Sequence, residues 1–272
     1  MPKMVSIRFA LRRSGSQIVR YRSALGARIV PRLGGKSRSN EMQKFSAQKL
    51  DIEIGNANSV SALLVHPPQA HACFVFAHGA GAGMTHPFME AFAAGLCERG
   101  VATLRYQFPY MEKGSKRPDP PAVAQNAVRA AVAEAERHCA KLRLIAGGKS
   151  FGGRMTSQAQ ASARLPGVDG LAFVGFPLHP AGKPSTDRAK HLADVHVPLL
   201  FLQGSRDNLA ELKLLEPVVK SLGPSASLHV VEAADHSFHV PARSGRNDRE
   251  VMDEILDAFV VWIDAIEPKT SA

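Results

Sequence analysis

The sequence predicts a doubly wound α/β domain on a mostly parallel sheet of about eight strands. Three observations carry that expectation. Short apolar runs alternate with amphipathic helical patterns from residue 50 onward. Most of those runs are followed by Gly, His or Pro, as strands are at turns. The composition, 45% apolar and 21% charged over 272 residues, is that of an ordinary globular chain. Strands that alternate with helices form a parallel sheet covered on both faces, with ligands beyond the carboxyl ends of the strands.

The elements follow in order. Residues 50–54 and 60–65 are strand-like and flank Gly55-Asn56-Ala57-Asn58, which reads as a hairpin. Further strands are expected at 72–77, 101–108, 142–146, 171–176, 198–202 and 227–231. Thr85 is expected to cap a helix with Phe88, Met89, Phe92 and Leu96 on one face. Asp119 is expected to cap a second helix whose first turn carries Pro120 and Pro121, where a missing N–H costs nothing. A third helix is expected from Arg154. Asn247 and Glu250 resemble a capping box, and Val251, Ile255, Phe259 and Trp262 follow at helical spacing.

Charge divides the chain. The formal net charge is +10, from 34 Lys and Arg against 24 Asp and Glu. Ten of the basic residues lie in residues 1–40, which hold no acid. Without that arm, 24 basic residues face 24 acidic ones. The high pI therefore belongs to a basic extension, residues 1–44, and the body, residues 45–268, is neutral. A nucleic-acid-binding surface on the body is not expected, because phosphate affinity needs clustered cations. The arm is rich in Arg and Ser, the composition of a transit peptide. It reads equally as a basic tail, or as sequence upstream of a start at Met42. The body is expected to be cytoplasmic, or mitochondrial if the arm is a transit peptide.

Cys73, Cys97 and Cys139 have no CxxC spacing, so neither a disulfide framework nor a zinc site is expected. No apolar run approaches the ~18 residues of a membrane span. No cofactor is expected.

The chemistry is concentrated after the fifth strand. The run LRLIA enters Gly147-Gly148-Lys149-Ser150-Phe151-Gly152-Gly153, which contains Gly148-x-Ser150-x-Gly152. The pattern makes sense as a sharp strand-to-helix turn. A serine at its apex adopts a strained conformation, and neighbours two positions away must be nearly without side chains. The turn lifts the hydroxyl clear of the sheet, at the positive end of a helix. Two phosphate-binding readings fail. A P-loop would need glycine where Arg143 stands, and a dinucleotide fingerprint starting at Gly79 would need glycine where Met84 stands.

A nucleophilic serine needs a base, and the base needs an orienting acid. Asp207 falls just past the 198–202 strand, and His236 just past the 227–231 strand. Asp187, Asp194 and Asp235 compete for the acid's role. The first two lie in a connecting segment, and Asp235 should point away from its neighbour His236. His239 competes for the base, and His236-x-x-His239 has the spacing of a metal pair but lacks further ligands nearby. The oxyanion donors are expected to be the backbone N–H groups of Phe151 and of Ala80, the latter in the loop His78-Gly79-Ala80-Gly81-Ala82-Gly83. Gly79, Lys149 and Tyr110 are the candidate substrate contacts. Lys149 reads either as an attraction for anionic substrates or as a locally paired cation. Phe108, Pro109 and Tyr110 read either as an acyl-pocket wall or as core.

The series FVFAHGAGAG (74–83), LRYQFPY (104–110), GGKSFGGR (147–154), QGSRD (203–207) and ADHSF (234–238) resembles the α/β-hydrolase superfamily. More narrowly, it is similar to the small hydrolase-like family of the testis-expressed and NSL-complex-subunit type, related to dienelactone hydrolases. The resemblance spans about residues 45–268. It implies an α/β-hydrolase fold and the chain order Ser150, Asp207, His236 as a triad and, taken with the short link between the sixth and seventh strands, a small acyl substrate. Dienelactone hydrolases use a cysteine nucleophile where this chain has Ser150, so lactone specificity does not carry over. The link between the sixth and seventh strands, residues 179–197, is too short for a large cap, which implies an open site. The function expected is hydrolysis of a carboxylic ester or thioester through an acyl-enzyme. The alternative is a non-catalytic interaction protein on the same fold.

Overall fold

A computed structural model of the chain describes residues 46–55 and 58–267. The basic extension, with the readings offered for it, lies outside the described residues. The strands are β1 (Gln48–Gly55), β2 (Asn58–Val65), β3 (Ala72–Ala77), β4 (Val101–Tyr106), β5 (Arg143–Lys149), β6 (Val168–Val174), β7 (Leu199–Gly204) and β8 (Ala226–Val231). The helices are α1 (Pro87–Glu98), α2 (Pro109–Glu112), α3 (Pro121–His138), α4 (Phe151–Ser162), α5 (Leu212–Ser221) and α6 (Asp248–Ala265). The strands form a single eight-stranded sheet in the order β1-β2-β4-β3-β5-β6-β7-β8. β1 and β2 form the expected antiparallel hairpin, β2 joins β4 antiparallel, and every later pairing is parallel.

Alternation within the strands builds two cores. On β3, Cys73, Val75 and Ala77 face one side with β1, β2, α3, α4 and α5. Ala72, Phe74 and Phe76 face the other, against Met89, Phe92 and Leu96 of α1 and Ile255, Phe259 and Ile263 of α6. Phe74, Phe76, Phe92 and Phe259 are fully buried, with ring centroids 4.8 to 6.4 Å apart. Burial of each such side chain contributes about 1.5–3 kcal/mol. The three cysteines are free and buried, as small hydrophobes.

Several boundaries differ from the sequence expectations. Asn247 does close a capping box with Glu250 at the start of α6. Thr85 does not cap α1. The cap is His86, whose ring accepts from Phe88 N–H, and Pro87 fills the first helical position. Asp119 does not cap α3 either. Pro120 precedes the helix, and the Asp119 carboxylate accepts Tyr110 N–H at 2.8 Å instead. A long-range donor has outcompeted the local one. β4 ends at Tyr106, so Phe108 starts α2 rather than ending the strand. α4 begins at Phe151, directly after the serine, rather than at Arg154.

The link from β6 to β7 carries only a 3-10 segment, Asp187–Asp194, packed against α4. No described helix is long and apolar enough to cross a membrane. The carboxyl ends of β3, β4, β5, β7 and β8 open on one edge, where the site residues gather.

Candidate active site

Ser150 is wedged between β5 and α4 with φ 51° and ψ −114°, a conformation that non-glycine residues rarely hold. The surrounding glycines explain how the corner closes. A Cβ on Gly148 would lie 2.5 Å from the Ala77 carbonyl oxygen, and one on Gly152 would lie 2.6 Å from the carbonyl oxygens of Ala77 and His78. The elbow therefore presses directly against the end of β3, and only hydrogen fits between them.

The three side chains singled out by chain order converge. The Ser150 hydroxyl donates to His236 Nε2 at 2.9 Å, and His236 Nδ1–H donates to Asp207 Oδ2 at 2.6 Å. The carboxylate accepts only, which fixes the proton on Nδ1. The Asp207 side chain is fully buried, and that of His236 is 21% exposed. Asp207 receives two further hydrogen bonds, from Gln203 Nε2 at 2.5 Å and from Leu209 N–H at 2.8 Å. Gln203 Oε1 accepts Phe176 N–H, so this buried amide ties the carboxylate to the end of β6.

The loop that carries His236 is pinned from several sides. Ala233 and Phe238 have positive φ, at 62° and 64°. A Cβ on Gly204 would collide with the Ala234 carbonyl and lie 2.6 Å from that of Asp235, so β7 must end in glycine for this loop to pass. Asp235 turns away from the site, accepting the N–H groups of Ser237 and His239. His239 pairs with Asp248 at the surface. Among the described residues no cluster suited to a metal ion occurs. Asp187 pairs with Lys190, and Asp194 lies on the same 3-10 segment, so neither reaches His236.

Lys149 sits beneath the same loop. Its Nζ donates to the His236 carbonyl at 2.6 Å and lies 5.8 Å and 5.6 Å from the Phe88 and Phe238 ring centroids. Burial pushes its ammonium down to about 8, with Asp207 and Asp235 opposing that shift. The ammonium is locally paired, matching the second of the two readings offered for it.

The glycine-rich loop is held by Tyr110 and by two residues the sequence reading gave no role, His78 and Gln107. His78 is fully buried, its Nδ1–H donates to the Gly79 carbonyl at 2.8 Å, and its Nε2 accepts Phe108 N–H at 3.0 Å. Burial lowers its pKa to about 4, so the ring is a neutral clamp at physiological pH. Gly81 N–H is 3.4 Å from the Tyr110 hydroxyl, Ala82 N–H donates to the Gly79 carbonyl, and Met84 N–H donates to Gln107. The Ala80 N–H is left without an acceptor among the described residues. Gly79 lies beside the elbow, where a Cβ would be 3.8 Å from that of Ser150. Phe151 opens α4, so its N–H has no acceptor within the helix. Its ring packs on Phe108 and Tyr110, at 5.3 and 6.4 Å between centroids. Phe108, Pro109 and Tyr110 are buried, which makes them the floor under this loop.

A second serine–histidine contact, Ser157 to His191 Nε2 at 2.8 Å, is of another kind. Ser157 is fully buried within α4 and donates to the Arg154 carbonyl, leaving no approach for a substrate. A cavity of about 420 Å³ adjoins Tyr110, between Lys113, Arg117 and Pro120. One of about 580 Å³ lies at the amino ends of β6 to β8, by Asp169, Pro198 and Ser227, at the opposite end of the sheet from Ser150. The converging side chains of Ser150, His236 and Asp207, not cavity size, mark the candidate site.

Comparison with known proteins identifies the family and the fold. A family model described as an alpha/beta hydrolase domain matches residues 70–264. Similar solved structures include a dienelactone hydrolase from Anabaena variabilis, with 20% identity over 82% of this chain and 100% of that one, at a TM-score of 0.67. The Pyrococcus furiosus esterase Pf2001 matches at 14% identity over 88% and 99% of the chains, at 0.65. An α/β serine hydrolase without lid from Xanthomonas campestris matches at 18% identity over 82% and 97%, at 0.62. At these identities the likeness carries the fold.

Proposed function

The chain belongs to the α/β-hydrolase domain family, and from that premise we propose that it is a serine hydrolase cleaving a carboxylic ester or thioester. One observation carries the reading. The hydrogen-bonded series Asp207–His236–Ser150 ends on a hydroxyl held in a strained corner at the start of a helix.

In this reading His236 Nε2 takes the proton of Ser150 as Oγ bonds to the substrate carbonyl carbon. The oxyanion that forms is held by the backbone N–H groups of Phe151 and Ala80, each donor typically worth ~3–4 kcal/mol in the transition state. The carbon–oxygen or carbon–sulfur bond then breaks, and His236 returns its proton to the leaving group. Water, deprotonated by His236, attacks the acyl-enzyme and releases the acid. Asp207 orients the ring and stabilises its cation. Gly79 gives close access to the reacting carbon, Tyr110 supports the oxyanion loop, and Lys149 holds the His236 loop from below. No cofactor takes part.

The short β6–β7 link supports an open site and a small acyl substrate. The motif series supports narrower membership in the hydrolase-like family of the testis-expressed and NSL-subunit type. We place residues 45–268 in one catalytic domain, and its setting in the cytoplasm, or in mitochondria if the basic arm is a transit peptide.

The test is hydrolysis of matched p-nitrophenyl esters and acyl thioesters by wild type and by Ser150→Ala. Turnover that disappears in the variant supports the reading. Equal rates in both proteins would overturn it.

A further inference from the structure

Arg154 and Arg188 lie on two elements packed against each other, and neither side chain has a carboxylate partner among the described residues. Arg154 is one turn along α4 from Ser150, half-buried, with its Nε fully buried and bonded to nothing among the described residues. Its guanidinium carbon lies 6.0 Å from the centroid of the Phe151 ring. Arg188 belongs to the 3-10 segment Asp187–Asp194, which packs on α4.

Both arginines lie on the faces through which the two elements pack. Residues three apart stack on one face of a 3-10 helix, and residues three apart share a face of an α-helix. His191 meets Ser157 at 2.8 Å. One step back on these two faces stand Arg154 and Arg188, near enough for the charge of Arg188 to act on Arg154. The two guanidinium groups repel, which adds to their burial in lowering the proton affinity of Arg154. The same field and burial keep His191 neutral down to about 4, so it adds no third charge.

The acids on this segment do not compensate. Asp187 is held by Lys190 and Ser185. Asp194 ends the segment, three residues beyond His191, and its influence on His191 is smaller than that of Arg154. Two like charges held partly out of water repel, and an anion bound between them relieves that repulsion. The planar fork of arginine suits an oxyanion with two or three oxygens.

We propose that Arg154 and Arg188 form an anion-recognition subsite beside the nucleophile, selecting acyl substrates that carry a carboxylate or phosphate group. The inference rests on the hydrolase reading and deepens it by naming the substrate class. Phe151 joins the two halves, because in the hydrolase reading its N–H faces the oxyanion while its ring lies against Arg154. The pair are specificity-determining residues, and the bond-breaking steps remain those of Ser150 and His236.

Two measurements separate this inference from the reading it rests on. The first compares kcat/KM for p-nitrophenyl hydrogen glutarate and neutral p-nitrophenyl valerate. Wild type is expected to prefer the anionic ester, and in Arg154→Ala or Arg188→Ala the ratio of anionic to neutral should fall about tenfold to a hundredfold, mostly through KM. Arg154→Lys, which keeps the charge without the fork, should recover part of it. The second is calorimetric titration of folded Ser150→Ala with monomethyl glutarate and, separately, inorganic phosphate, which distinguishes the two oxyanions. Binding of either that disappears when Arg188→Ala is added supports the subsite even if no ester is turned over, in which case the hydrolase reading alone fails. An unchanged ratio in the arginine variants, or no binding of either probe, overturns the subsite. Should Arg154→Ala fail to fold, Arg188→Ala, on the surface segment, gives the same decision.

Discussion

Gln203 and Asp207, four residues apart across the end of β7, are joined by a hydrogen bond of 2.5 Å from Nε2 to Oδ2, the same oxygen that receives His236 Nδ1–H. Asp207 is thus oriented by a buried amide that is itself fixed by Phe176 N–H. Gln203→Leu should leave that N–H and one carboxylate lone pair unpaired, at a cost of about 1–3 kcal/mol in stability. Because Gln203 acts through Asp207, kcat for ester hydrolysis should fall about tenfold while KM holds, and Gln203→Glu should be worse through like-charge repulsion. Steady-state kinetics beside urea denaturation checks both, and a change confined to KM would contradict the positioning role.

Ser150 pays for its function in backbone strain. A non-glycine residue in such a conformation costs about 1–3 kcal/mol, part of which glycine would recover after its own larger entropy loss on folding. Ser150→Gly is therefore expected to raise stability by about 1 kcal/mol while removing all hydrolysis, whereas Ser150→Ala removes activity and leaves the strain. The urea midpoint at unchanged m-value reads this directly. A glycine variant less stable than the alanine variant would contradict it.

His78 links the Gly79–Gly83 loop to pH. Burial lowers its pKa from the ordinary 6.5 to about 4. Between those values the unfolded chain binds more protons than the folded one, so stability falls as pH drops through the interval and the loss is complete below about 4. The full loss is roughly 3 kcal/mol. His78→Leu lacks this titration. It should be less stable than wild type at pH 7, where two hydrogen bonds are missing, and the gap should narrow towards pH 4. Urea denaturation at pH 7, 6 and 5 measures the gap, and a constant difference would show that His78 does not titrate in this window.

Gly152→Ala tests the contact between the elbow and β3. The added Cβ would lie 2.6 Å from two carbonyl oxygens of the Ala77–His78 segment. Both are backbone atoms, so the corner and the Gly79–Gly83 loop must separate. A loss of about 1–3 kcal/mol is expected, together with a drop in acylation rate larger than that of an equally destabilising core variant such as Phe259→Leu. Equal losses of rate in the two variants would indicate that loop placement does not depend on this contact.

Much of this architecture was legible in the sequence, because parallel strands buried on both faces read as short continuous apolar runs. The elbow was legible for a related reason. Steric exclusion at Gly148 and Gly152 leaves a fixed spacing, and chemistry beyond strand ends directs attention to Asp207 and His236. What escaped depends on distant partners. Asp119 had the right chemistry to cap a helix, but Tyr110 N–H captured its carboxylate. His78 and Gln203 carried a weaker signal, as polar residues ending the apolar runs ACFVFA and LLFLQ. Their roles became visible only once Phe108 N–H and Phe176 N–H were brought to them. The nearness of Arg154 and Arg188, on segments far apart in sequence, has no local signature.

The central claim is that the Ser150 hydroxyl is activated by His236 under the direction of Asp207. Intact-mass measurement of the folded chain after exposure to a fluorophosphonate tests it most directly. The triad reading predicts a single covalent adduct on Ser150, absent in Ser150→Ala and formed about a thousandfold or more slowly in Asp207→Asn, where the imidazole is held in the wrong tautomer. A folded wild-type protein that remains unmodified, or that labels equally fast without Asp207, would contradict it.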